Sequence, residues 1–411
     1  MVTLGLLRAL KRQGVDICSA KSGPDYIDPA FHAAATGKPC INLDAWAMEP
    51  ESLRAMAHRQ PSGMVVIEGA MGLFDGAPVA GSAMGKGAVA DLAEALDLPV
   101  VLVVDVARQA QTVAAMVAGL AGFRTGVRIA GIILNRVGSE KHRMMIERAI
   151  SGIPVLGAVP RDARMERESR HLGLVQAGED PELEAFIEGA ADVVAAHIDL
   201  AAMTTLATEL PNAGPVPAIA PLGQHIAVAR DRAFAFSYPH LLEGWRAAGA
   251  ELSFFSPLAD EGPAKVADAV FLPGGYPELH AGQLAGAAQF KATMRATKAL
   301  IYGECGGYMA LGDGLEDADG ARHEMLGLLP VTTSFARRKL HLGYRLLEAL
   351  SGPFQGHKLP AHEFHYARIT ACQPARLFAA QDSMGHDLGV IGHHSGKVSG
   401  SFAHIISMPP A

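Results

Sequence analysis

The residues best suited to chemistry lie in Ala299–Met309, Ala-Leu-Ile-Tyr-Gly-Glu-Cys-Gly-Gly-Tyr-Met. A short apolar run, 299–302, predicts a buried strand. It enters Gly303-Glu304-Cys305-Gly306-Gly307, and a helical pattern follows. A G-x-nucleophile-x-G sequence at a strand-to-helix turn is a nucleophile elbow, here with cysteine where hydrolases carry serine. So tight a turn needs small neighbours, because the nucleophile is strained and its side chain is presented outward. The N-terminus of the following helix is expected to favour thiolate over thiol. A buried structural cysteine is the competing explanation, since free cysteines are commonly interior. Three flanking glycines at these offsets argue against it.

A nucleophilic thiol needs a base. The chain has 17 histidines, so spacing alone does not select one. The late segment Gly396-Lys397-Val398-Ser399-Gly400-Ser401-Phe402-Ala403-His404 offers His404, with His386, His393 and His394 as competitors. Together, the elbow and this G-x-x-x-x-S-x-x-H resemble the class I glutamine amidotransferase domain, in the branch fused to cobyrinic-type a,c-diamide synthases. The resemblance implies that Cys305 attacks the side-chain amide of glutamine and that His404 activates it. Glutaminases of the wider class carry a Glu two residues after the His. Here that position is Ile406, so the resemblance implies a Cys–His dyad, as is general in the diamide-synthase branch.

The elements that must position this pair belong to a chain long enough for two domains, at 411 residues. A hydrophobic fraction of 49% supports sizeable cores. A net charge of −7, a pI near 6.2 and the lack of a basic cluster argue against a nucleic-acid partner. Cys18, Cys40, Cys305 and Cys372 are scattered without C-x-x-C pairing, which indicates neither a zinc site nor a disulfide framework and suits a reducing cytoplasm. No apolar run approaches the roughly 18–20 residues of a membrane span, and the amphipathic helix predicted for Met1–Leu10 is not a signal peptide.

In diamide synthases that first helix follows a strand and a G-x-x-x-x-G-K-T loop, whose amides and lysine hold ATP phosphates. The sequence opens about where that loop would end, and a start placed downstream of the natural one is the expectation. A strand predicted over 15–20 leads to Lys21-Ser22-Gly23-Pro24-Asp25-Tyr26-Ile27-Asp28-Pro29. Gly-Pro-Asp is a turn, two carboxylates three apart can reach one metal or substrate, and Lys21 can act as a point charge on phosphate. A solvated loop with turn-forming Asp is the plain alternative. By resemblance, Lys21 supports the nucleotide phosphates, while Tyr26, Ile27 and Asp28 face the tetrapyrrole and magnesium, with Asp25 a second candidate ligand.

A strand over 63–67 ends at Glu68, followed by Gly-Ala-Met-Gly-Leu-Phe-Asp75-Gly. An acid at the carboxyl end of a parallel strand is where phosphate-loop enzymes hold Mg²⁺. Glu68 is therefore the candidate metal ligand, and Asp75 a second acid near the transferred phosphate unless it only forms a turn. Dethiobiotin synthetases carry a similar Glu-Gly. Further strands over 99–105, 128–134 and 154–159, separated by Ala-rich helices, predict a parallel α/β sheet covered on both faces. Asn135 and Pro160 match family positions near the adenine; Asn offers the donor and acceptor an adenine edge requires. The family-like patch 168–174 has no physical role on sequence grounds.

Four prolines within 209–223 mark a linker, giving domains 1–208 and 224–411. In the second, strands over 226–229, 252–255 and 269–272 precede Pro273-Gly274-Gly275-Tyr276. Two glycines after a strand let a backbone N–H point at a developing oxyanion; by resemblance the donors are Gly275 and Gly306. His362-Glu363-Phe364-His365-Tyr366 is not H-E-x-x-H, and a structural or tetrapyrrole-facing role is preferred to a metal.

The expected architecture is thus α/β, with two doubly wound domains: a dethiobiotin-synthetase-like phosphate-loop domain and a flavodoxin-like class I glutamine amidotransferase domain. The function implied is ATP- and glutamine-dependent amidation of the a- and c-carboxylates of a corrinoid, cobalt-free in preference to cobalt-bearing, with Mg²⁺ as cofactor. The resemblance also allows a homodimer. A nickel-sirohydrochlorin diamide synthase is a near alternative, cobyric acid synthase a more distant one, and a non-catalytic remnant the reading of another class.

Overall fold

In a computed structural model, residues 1–78, 85–166, 177–216 and 218–408 are described. The patch 168–174 lies outside them. The chain divides into two compact units: Met1–Ala45, Glu49–Gly76 and Gly87–Val216 form the first, and Trp46–Met48, Ala77–Lys86 and Pro217–Ala411 the second.

The first unit alternates strand and helix. Its strands are β1 (Ile17–Ser22), β2 (Cys40–Leu43), β3 (Met64–Glu68), β4 (Val100–Asp105), β5 (Ile129–Val137) and β6 (Val155–Pro160). They form two parallel three-stranded sheets, ordered β2-β1-β3 and β4-β5-β6. Val/Ile-rich runs suit a parallel arrangement, but the expected single sheet covered on both faces is not what forms: β3 is only half-buried and Val103 of β4 is exposed. Helix α1 (Val2–Arg12) packs with α2 (Leu183–His197) over Ile17, Ile133 and Val159, burying Leu7, Leu10, Ile187 and Val194. Full burial of each such side chain stabilises by about 1.5–3 kcal/mol.

Arg8 lies on the packed side of α1. It is buried, donates to the carbonyls of Ala34 and Ala35 at 3.0 and 2.9 Å, and pairs with Glu184 and Glu188. The carboxylates of α2 and the free carbonyls supply every donor with an acceptor, which lets a guanidinium sit inside. Asn135 falls within β5 rather than after it, where a register shift between Asn135 and Val137 puts Arg136 at φ 62°.

The second unit is built on a six-stranded sheet. It contains β7 (His225–Ala229), β8 (Glu251–Phe255), β9 (Ala269–Leu272), β10 (Leu300–Glu304), β11 (His393–Ser395) and β12 (Val398–Ser401), in the order β11-β12-β10-β9-β7-β8. All neighbours are parallel except β11 with β12. Helix α3 (Gly306–Leu311) leaves β10 and buries Tyr308, Met309 and Leu311 against Leu272 and Ile301. Mostly between α3 and β11, the chain adds two largely antiparallel sheets, of four and five strands, the last strand of the larger one following β12; the flavodoxin-like expectation did not include them. Two strands of the five-stranded sheet matter for the site: Lys358–His365 and the short His404–Ile405, which pair antiparallel with His362 opposite His404.

Candidate active site

Two clusters of reactive side chains emerge, one in each unit. In the first, β1 and β3 run parallel with Lys21 in register with Glu68, so both side chains leave the same face. Lys21 Nζ lies 2.6 Å from Asp28 Oδ2, 2.9 Å from Glu68 Oε2 and 3.9 Å from Asp25 Oδ2. Lys21 is almost fully buried. Burial alone would lower its pKa, but Glu68 and then Asp28 outweigh that and hold the ammonium charged. Burial likewise favours protonation of Glu68, and His32 with Lys21 reverses it, keeping the carboxylate ionised.

His32 was not singled out in the sequence. Its Nε2 is 2.9 Å from Glu68 Oε2, and its position four residues beyond Asp28, one helical turn on, was the available signal. Asn42 was also missed. Its side chain donates to the carbonyls of Gly23 and Asp25 at 2.9 and 2.8 Å, which pins the Gly-Pro-Asp loop. Asp25 spends one oxygen on the amides of Ile27 and Asp28, at 2.7 and 3.1 Å. Burial, followed by the nearby Asp28, raises its pKa. Tyr26 and Ile27 are half-buried between these acids. Asp75 closes a turn, accepting from Gly72 N–H at 2.9 Å. Asn135 and Pro160 sit at the carboxyl ends of the neighbouring strands β5 and β6.

In the second unit, Cys305 has φ 46° and ψ −103°, the strained conformation an elbow nucleophile adopts. Its N–H donates to Ser401 O at 2.9 Å, and its Sγ lies 3.9 Å from Phe364 O. Gly274 stands between nucleophile and base: a methyl placed there would lie 3.3 Å from Cys305 Cβ, 2.9 Å from His404 Nε2 and closer still to His404 Cε1. Cys305 and His404 therefore share one small space, with the Nε2 edge turned to the glycine. A methyl on Gly306 would lie 2.8 Å from Gly275 N, which puts the backbones of the two oxyanion candidates side by side. The competing histidines are otherwise engaged: His393 with Tyr308 OH and Gln373 O, His394 with Gly396 O, and His386 with Asp382.

The thiol departs from the expected low pKa. Burial raises it, Glu278 adds to the rise, and the N–H of Gly306 opposes it without overcoming it. A single helix-start amide cannot offset complete desolvation of a thiolate. His404 is fully buried too, and burial, then His362 and His365, push it down to about 3. The resting pair is neutral.

His341, Glu363 and His365 meet with one ligand-capable atom each within 4.8 Å of the others. Glu363 is already held by Arg345 at 2.7 Å and His365 at 2.8 Å.

Residues 225–410 match a family model described as a CobB/CobQ-like glutamine amidotransferase domain, and residues 31–169 match one described as an AAA domain. A protein of Brucella anthropi named hydrogenobyrinate a,c-diamide synthase is 57% identical over 98% of this chain and 94% of its own length. Proteins of the same name are 56% identical in a Sinorhizobium species (100% and 96% covered) and 55% identical in Rhizobium meliloti (98% and 95%). The chain belongs to the hydrogenobyrinate a,c-diamide synthase family. It is an amidoligase that carries a glutamine amidotransferase domain, with the α/β fold expected of that fusion. The elbow lies within the residues that match the amidotransferase domain and Glu68 within those that match the AAA domain, while Lys21 precedes that match. Among the described residues no helix is long and apolar enough to cross a membrane.

Proposed function

We propose that this chain amidates the a- and c-carboxylates of hydrogenobyrinic acid, in cobalamin biosynthesis, with glutamine as ammonia donor and ATP as the activating substrate. The observation that carries the reading is the strained Cys305 sharing the space around Gly274 with His404. On this reading the thiol proton passes to His404 Nε2, and Cys305 Sγ attacks the glutamine side-chain carbonyl. The N–H groups of Gly275 and Gly306 stabilise the oxyanion. Ammonia leaves with the returned proton, and water releases glutamate from the thioester. Each carboxylate receives the ATP γ-phosphoryl group, and ammonia displaces phosphate from the acyl phosphate. Activated acid must meet ammonia before water does, so water exclusion belongs to the design.

In the synthase unit, Lys21 serves the phosphates, Asn135 and Pro160 the adenine, and Tyr26, Ile27, Asp28 and Asp75 the macrocycle and its activated carboxylate. The carboxylates of Glu68 and Asp25 are hard oxygen donors of the kind Mg²⁺ prefers, and they would hold it. Bound there, Mg²⁺ supplies charge neutralisation at the transferring phosphoryl group. Domains of 1–208 and 224–411 joined at 209–223, a cytoplasmic location and a homodimer complete the reading; neither nucleic acid nor membrane is a partner. Cys305→Ser tests it: glutamine-dependent amidation is lost and ammonia-supported amidation survives, whereas retained glutamine use removes Cys305 as the nucleophile.

A further inference from the structure

The position two residues after His404 is Ile406, fully buried and apolar. A carboxylate nevertheless reaches His404 by another route. Glu304, the last residue of β10, is in register with Ser401 on β12, and the chain returns from Ser401 to His404 in three residues. Glu304 is buried, and its Oε1 accepts the N–H of Ile405 at 3.1 Å. Its Oε2 lies 3.7 Å from Nδ1 of His404. Nε2 is the nitrogen turned toward Gly274 and Cys305, so the carboxylate addresses the far side of the ring. Among the described residues, His404 is the one cation-capable side chain within ion-pair distance of Glu304.

We propose that Glu304 is the positioning carboxylate of the glutaminase centre: it orients His404 through Nδ1 and stabilises the imidazolium formed when Nε2 takes the Cys305 proton. The family dyad thereby acts as a triad whose acid precedes the nucleophile instead of following the histidine. This rests on the reading of Cys305 and His404 as nucleophile and base.

The surroundings explain why such a group is needed. His404 is faced by His362, His365 and Glu363. Glu304 is faced by Tyr302, and Cys305 by Glu278, Glu363 and Glu304 itself. Burial that pushes His404 down to about 3 makes imidazolium costly unless a carboxylate lies beside it. Burial pushes Glu304 up to about 8 as well, so each charge is costly alone and the two offset each other when formed side by side. For Nε2 to accept the thiol proton, the neutral ring must carry its hydrogen on Nδ1, directed at Glu304. With Glu304 ionised, transfer leaves Cys305 negative, His404 positive and Glu304 negative; no proton is gained or lost.

The test compares Glu304→Gln with the unsubstituted protein in glutamine hydrolysis and in the pH dependence of Cys305 alkylation by iodoacetamide. Glutamine keeps an oxygen for the Ile405 N–H, so a purely structural Glu304 leaves both readouts unchanged, and that result overturns the proposal. The proposal expects hydrolysis to fall by roughly 10²-fold or more, in the manner of carboxylate removal from a hydrolase triad, and the alkylation limb to move. A second arm needs no folded variant at position 304. Nitrogen-15 NMR of the unsubstituted protein, with His404 assigned by comparison with His404→Asn, should show hydrogen on Nδ1; hydrogen on Nε2 alone overturns the proposal. Glutamine hydrolysis that survives Cys305→Ser removes the nucleophile reading and this inference with it, an outcome distinct from a silent Glu304→Gln.

Discussion

Gly274 and His404 are packed so that one added methyl group cannot fit between them. The space it would need lies 2.9 Å from Nε2 of the imidazole and 3.3 Å from Cys305 Cβ. The glycine is what lets nucleophile and base share a site while Phe236 N–H bonds the Gly274 carbonyl at 2.9 Å from the other side.

Gly274→Ala should therefore displace the ring instead of filling a void. A misplacement on the order of 1 Å costs roughly 10²-fold in rate. Steady-state glutaminase assays should show that loss in kcat, with the thermal midpoint changed much less than kcat. An active Gly274→Ala would mean that the Cys305–His404 pair is not the working one.

Glu363 gives a pH signature. His365 and Arg345 overcome burial and hold its carboxylate down at about 2, against an ordinary 4.5. Its folded pKa is depressed, so its contribution is present above about 4.5 and is lost as pH falls toward 2. Thermal melts from pH 6 to 3 should fall along that window, and the fall should be shallower in Glu363→Gln. Equal slopes would show that the pair contributes nothing to stability.

The Lys21–Glu68 register yields a prediction of another kind. Glu68→Gln leaves a buried ammonium with reduced compensation from Asp28 and Asp25, and breaking a buried pair in this way costs about 3–5 kcal/mol. Urea denaturation should show a loss of that order, together with lost ATP-dependent amidation. A variant as stable as the parent would place Lys21 in solvent.

Local sequence carried much of this. Apolar runs located most strands of the first unit and four of the six in the central sheet of the second, because a buried parallel strand cannot hide its composition. Cys305 was legible because elbow geometry tolerates few residue types. His32 and Asn42 were not, since each acts through a neighbour brought in by sheet register or a helical turn. The expected thiolate was misjudged because helix-start stabilisation is visible in sequence and desolvation is not. The two largely antiparallel sheets escaped although two of their strands are nine and eight residues long; the others are short and several are exposed, leaving little alternation to detect.

The four thiols also separate by environment. Cys372 is exposed and Cys305 buried with a raised pKa. Iodoacetamide at neutral pH should modify Cys372 well before Cys305, as mass spectrometry of digests would record. Faster reaction at Cys305 would mean that the resting centre already holds a thiolate.

The central claim is that Cys305 is the glutamine nucleophile, and 6-diazo-5-oxo-L-norleucine, an alkylating glutamine analogue, tests it most directly. The protein is incubated with the analogue, digested and mapped by mass spectrometry, with excess glutamine as competitor. The account predicts a single glutamine-protected adduct on Cys305 that is absent from Cys305→Ser. Labelling confined to Cys18, Cys40 or Cys372, or an adduct that glutamine does not suppress, would contradict it.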